Sequence, residues 1–143
     1  MSKETAEYAP LYLRGIAHFN AREFFEAHEA WEDLWRAYRG ELRLFYKGLI
    51  QAAVALHHFG NGNLRGARKV YLSSRGYLSE YLPGRCGLDL VKFLGELDSC
   101  FAEVAASQDG CPKIDIDPER IPEIELCPPA VLPAVGEERW PRR

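Results

Sequence analysis

No run of about 18 apolar residues occurs in this chain, so the sequence offers no membrane-spanning helix. No CxxC pair occurs among Cys86, Cys100, Cys111 and Cys127, which removes the tight spacing that structural zinc sites use. The opening residues Met1-Ser2-Lys3-Glu4 lack the apolar stretch of a signal peptide, so free thiols in a reducing cytoplasm are expected. Proline is nearly missing from the first 107 residues, where only Pro10 and Pro83 stand, so long helices are permitted there. Charge of one sign is not in excess either. Through Ser107 the chain carries 13 basic and 13 acidic residues, and the net charge of −3 comes entirely from the 5 basic and 8 acidic residues that follow. A nucleic-acid binder shows a basic stripe, because phosphate contacts dominate its affinity. None is present, so neither nucleic acid nor a membrane is an expected partner.

What is there is one domain's worth of chain. At 143 residues, 47% hydrophobic and 27% charged, it can bury a real core without staples. That excludes a large multi-domain enzyme, a collagen-like fibre and a disulfide-knotted toxin. Seven of nine prolines fall after residue 108, which divides the chain into a helical domain, 1–107, and a proline-rich tail, 108–143. The tail is expected to be extended, packed on the core through Ile114, Ile116, Ile121, Ile124 and Leu126 or trailing from it.

Apolar spacing predicts an all-α fold of five helices. The first covers about Glu4 to His18, with Pro10 forcing a kink or a later start. The second opens at Asn20, whose side chain is expected to cap it with Glu23 in a capping-box pattern, and reaches Tyr38. The third follows Gly40 and ends at Gly60-Asn61-Gly62. Asn63 caps the fourth, which Pro83-Gly84 closes, and Asp89 caps a fifth that extends to about Ala106. The third is apolar nearly all round, so it is expected at the centre.

On the second helix, Phe24, Phe25, His28, Trp31, Glu32 and Trp35 fall in one stripe that its aromatic mass turns to the core. A carboxylate there needs a donor, so His28 and Glu32 are expected to pair. On the third, Lys47, Gln51 and His58 share one side by helical arithmetic. A short loop makes the two helices antiparallel neighbours, so His28 and Glu32 are expected to meet Gln51 and His58.

These residues resemble a known family. Phe19-Asn20, Phe24-Phe25-Glu26-Ala27-His28-Glu29-Ala30-Trp31-Glu32, Trp35, then Gly48-Leu49-Ile50-Gln51-Ala52, His58 and Gly66-Ala67 are similar to the bacterial and archaeal family called domain of unknown function 309. The resemblance covers roughly residues 10–100 and implies a compact multi-helical fold; it implies no activity. Its motif falls on His28, Glu29, Trp31, Glu32, Trp35, Gly48, Gln51 and His58, and it does not reach the tail.

Three readings compete for His28, Glu32, Gln51 and His58, with Glu29, Trp31 and Trp35 as secondary candidates. One is a buried hydrogen-bond network in a binding or scaffold module that acts through its surface, alone or as a homodimer. It is preferred because polar networks in cores are commoner than sites. The second is a metal or small-ligand pocket, in which His28, Glu32 and His58 hold a divalent ion. The third is general acid–base catalysis by the His–Glu pair. No HExxH motif, Glu-x-x-His repeat or P-loop lysine supports an enzyme class, and no cofactor is required. Whether the protein is an enzyme stays open at this level.

Overall fold

The computed structural model describes residues 8–107 and 113–135. Cys111, the residues before Tyr8 and the last eight residues lie outside the described part. Six helices and one short hairpin follow in order: α1 Pro10–Asn20, α2 Phe24–Ala37, α3 Arg43–Gly60, α4 Leu64–Ser79, β1 Gly84–Arg85, β2 Leu88–Asp89, α5 Leu90–Cys100 and α6 Ala102–Ala106. A 3₁₀ turn at Pro118–Arg120 interrupts the tail.

Pro10 resolves the first helix by starting it, since a first-turn proline gives up no intrahelical bond. Asn63 and Asp89 cap as expected, accepting from Gly66 N at 3.0 Å and Lys92 N at 3.1 Å. Asn20 does not cap. Its amide grips the tail instead, donating to Ile124 O at 2.9 Å and accepting from Ile124 N at 2.8 Å. The expected fifth helix is two, because the chain bends at Phe101, whose buried ring stacks on Tyr71 at 4.6 Å. The sequence also hides a hairpin. Cys86 and Gly87 both take positive φ, 53° and 75°, the pairing that a tight two-residue hairpin turn requires. Its strands are two residues each, too short to show alternation.

α3 packs between α2 and α4, with Phe45, Leu49, Ala52, Ala53 and Leu56 all buried. Two glycines set the spacing. Gly48 brings α4 close enough for Ser74 Oγ to donate to its carbonyl at 2.7 Å, and Gly15 brings α1 onto the Trp31 ring. The tail closes the other side of α1. Ile124 is 3% exposed, and Ile114, Ile116, Ile121, Leu126 and Leu132 pack on the core around it. Cys127 N donates to Gly87 O at 3.0 Å and the Tyr8 hydroxyl to Pro128 O at 2.7 Å, which tie the tail to the hairpin and to the start of α1.

One ion pair joins α4 to α5. Arg75 reaches Asp98 through Nε at 2.8 Å and Nη2 at 2.7 Å, and the Tyr71 hydroxyl donates to the same carboxylate. Burial alone would raise the Asp98 pKa, but the Arg75 guanidinium and Tyr71 hydroxyl outweigh it and hold it below the ordinary value. A lowered folded-state pKa contributes stability that is present above the unfolded value of about 3.9 and lost as pH falls through the folded one. Asp98→Asn is therefore expected to cost about 1 kcal/mol at pH 7 and to make unfolding less acid-sensitive below pH ~4. Urea midpoints at pH 7 and pH 3 check it, and an unchanged difference between wild type and variant at the two pH values would contradict it.

Candidate functional site

The buried face of α2 is Phe24, Ala27, Ala30, Trp31 and Leu34. Compared with the stripe expected from the aromatics, the helix is turned by roughly one residue, ~100°. Phe25 is consequently 47% exposed, with its ring 5.6 Å from that of His57. His28, Glu32 and Trp35 lie on the flank, half-buried rather than central. The His28 side chain is 23% exposed and that of Glu32 32%. The reason is size. Alanines, not large rings, let helices approach closely, so Ala27 and Ala30 mark the packing face.

The expected His28–Glu32 pair is formed, with Nε2 3.0 Å from Oε1. The other ring nitrogen, Nδ1, lies 3.3 Å from Phe25 O, so the imidazole faces an acceptor on each side. Arg36 Nη2 approaches the second Glu32 oxygen at 3.4 Å. Gln51, expected to meet His28 and Glu32, accepts instead from Ser73 on α4, whose hydroxyl donates to Oε1 at 2.6 Å. Glu32 and Gln51 thus anchor two separate hydrogen-bonded groups that face each other across a cleft between α2, α3 and α4. A cavity of about 230 Å³ separates them, lined by His28, Glu32 and Trp35 from α2, Lys47, Gln51 and neighbours from α3, and Val70 from α4.

His58 does not join them. It shares an azimuth with Gln51, but two turns of helix, roughly 10 Å, separate the two residues. Its Nδ1 lies 3.4 Å from the Asn63 amide at the other end of α3. Among the described residues no group of three or more His, Cys, Asp or Glu is placed to hold a metal ion. Of the secondary candidates, Trp31 is core, donating to Tyr12 O at 3.1 Å, and Trp35 forms a wall of the cavity. Glu29 is not among the cavity's lining residues.

Sequence reasoning missed two features. One is a buried His/Glu pair, His18 Nδ1 to Glu23 Oε1 at 2.8 Å, with Glu23 only 4% exposed. Left-handed Arg22, φ 67°, folds the α1–α2 turn so that Glu23 lies beneath α1. The capping-box pattern Asn20…Glu23 concealed this pair. The other is Arg43, whose guanidinium stacks 3.9 Å from the Trp35 ring centroid, beside Lys47 at 5.0 Å. Both cations are on one side of α3, and the signal was their i, i+4 spacing opposite a tryptophan on an antiparallel neighbour.

Three larger openings, of about 400, 610 and 820 Å³, are seams between the tail and the helices. The smaller cavity gathers the polar side chains of His28 and Glu32 from α2 and of Lys47 and Gln51 from α3. Cys86, Cys100, Ser73 and Ser74 are poorly prepared as nucleophiles. Burial pushes the Cys86 thiol up and that of Cys100 up to about 11, so neither is a ready thiolate. Ser73 and Ser74 spend their protons on Gln51 and on Gly48 O.

The family described as "Domain of unknown function (DUF309)" matches residues 12–70. That range holds nearly all of α1, α2, α3 and the first part of α4, with the whole lining of the 230 Å³ cavity. The hairpin, α5, α6 and the tail lie beyond it. An uncharacterized protein of Aquifex aeolicus (strain VF5) is 40% identical over 53 residues, 36% of this chain and 16% of that protein. The uncharacterized protein YpuF of Bacillus subtilis (strain 168) is 35% identical over 69 residues, 47% of this chain and 40% of that protein. The matched segment is well under half the length of either relative.

Proposed function

We propose that this helical domain, whose residues 12–70 match the DUF309 family, is a binding module whose ligand sits in the α2–α3–α4 cleft. The observation that carries this reading is the convergence of His28, Glu32, Lys47 and Gln51 on one partly open cavity with apolar walls. A polar network kept only for packing closes on itself. This one is split into two halves with space between them.

The volume of about 230 Å³ is below the ~300–1,000 Å³ usual for drug-sized ligands, so the occupant is a small polar molecule or one residue-sized group. Catalysis is less well supported. The His28–Glu32 pair has no activated nucleophile beside it, and binding needs none. Among the described residues no helix is long and apolar enough to cross a membrane. The balanced charge of the helical part favours a small ligand over nucleic acid, and a cytoplasmic setting agrees with the free thiols at Cys86, Cys100 and Cys127.

Glu32→Gln separates the two roles. A part-exposed ion pair contributes about 1 kcal/mol or less, so a site residue is expected to lower Tm by no more than roughly 3 °C. Thermal unfolding followed by circular dichroism measures it. A fall of 8 °C or more would make Glu32 a structural residue and sink the binding reading.

A further inference from the structure

We infer that the Arg43–Lys47 corner at Trp35 is an anion subsite of this cleft, built to take a carboxylate or phosphate group. The inference rests on the reading of the cleft as a binding site and names the chemistry of its ligand. Arg43 and Lys47 stand one turn apart on α3, half-buried, at 3.9 and 5.0 Å from the centroid of the same indole. Lys47 also lies 6.0 Å from the Tyr77 ring and lines the cavity.

Contact with an aromatic face holds a cation without neutralising it. Among the described residues neither cation has a carboxylate partner, whereas Arg36, Arg75 and Arg85 each have one. Stacking also occupies only the flat face of a guanidinium and leaves its in-plane N–H groups free for a bidentate acceptor. One of those groups, Arg43 Nη1, is buried with no acceptor at all. Such a donor normally has a partner, and leaving it without one is costly. The indole confirms the pattern from the other side, because Trp35 Nε1 is likewise buried and unpartnered. Two positive charges and two orphaned donors therefore sit around one ring; that ring and Lys47 line the cavity, Arg43 stacks on the ring from outside the lining residues, and an oxyanion is the ligand class that satisfies them together. Glu32, one turn from Trp35 on the same helix, repels a second negative group, so the favoured ligand presents one anionic end and an uncharged or hydrogen-bond-donating remainder.

Tryptophan emission reads the site directly, since ring and cations are in contact. Inorganic phosphate, acetate and acetamide are titrated separately into the full chain at constant ionic strength, with chloride as the baseline. The expected result is a saturable emission change at roughly millimolar phosphate or acetate, absent with acetamide. Whichever of the two saturates at lower concentration identifies the anion. Lys47→Gln and Arg43→Gln are each expected to weaken that saturation at least tenfold while Tm stays near wild type, and Arg43→Lys is expected to recover part of it. No saturation above the chloride baseline, or equal saturation in both glutamine variants, overturns the inference. Saturation by acetamide alone also overturns it but leaves the cleft a binding site, and the Glu32→Gln melt judges that reading independently.

Discussion

Gly15→Ala is expected to destabilise the domain by about 2–3 kcal/mol, a fall in Tm of roughly 6–10 °C. A methyl group built on Gly15 would lie within the indole of Trp31, so either the ring or the helix must move. The ring has nowhere to go. Trp31 is fully buried, its Nε1 donates to Tyr12 O at 3.1 Å, and Phe19 lies against it with ring centroids 5.8 Å apart. Displacing it breaks the hydrogen bond and loosens the aromatic packing that joins α1 to α2. Calorimetry of the single variant and of Gly15→Ala/Trp31→Phe tests the cause as well as the size. A smaller ring should relieve part of the clash, so the two substitutions together should cost less than their sum. Strict additivity would mean that Gly15 acts by some route other than Trp31.

Ile124→Ala is expected to cost about 3 kcal/mol, near 10 °C in Tm, which is a core-sized penalty for a residue in a proline-rich tail. Ile124 is as buried as the helical core, and its backbone is held on both sides by the Asn20 amide. Asn20→Ala should add evidence, since it leaves a peptide N–H and a C=O without their partners, at about 1–3 kcal/mol. Beneath the tail lie Ile16, Leu88 and Phe93, so truncation after Ser107 should expose apolar surface and bring aggregation on heating. A truncated chain as stable and soluble as the full one would show that the tail only lies on the fold.

The helices were legible because apolar spacing and end signals are local. Asn63 and Asp89 cap where a reader of the sequence puts them, and Pro10 starts a helix as its chemistry requires. Asn20 and Glu23 carried the same local signal, yet each is engaged over a distance that sequence does not display, one by Ile124 and one by His18. On α2 the large rings dominate the hydrophobic pattern, but close packing selects the small residues Ala27 and Ala30 for the buried face. That one rotation moved His28 and Glu32 from the core to a cleft. His58 shares the angle of Gln51 around α3, but the rise along the axis carries it to the far end of the helix, beside Asn63. Arg43 was missed because a cation beside a tryptophan becomes a pattern only once two helices are known to be antiparallel.

The clasp between Asn20 and Ile124 spans 104 residues of sequence, and the bond from Tyr8 to Pro128 spans 120. During synthesis α1 through α4 are made, and can pair, long before either partner emerges. The surface of α1 around Ile16 must therefore wait uncovered while the hairpin, α5 and α6 are added. Contacts this distant slow the last step of folding, since the chain must close a long loop before they repay it. The segment that matches other proteins, residues 12–70, is completed by residues that lie more than 100 positions further along the chain than the side chains they bond.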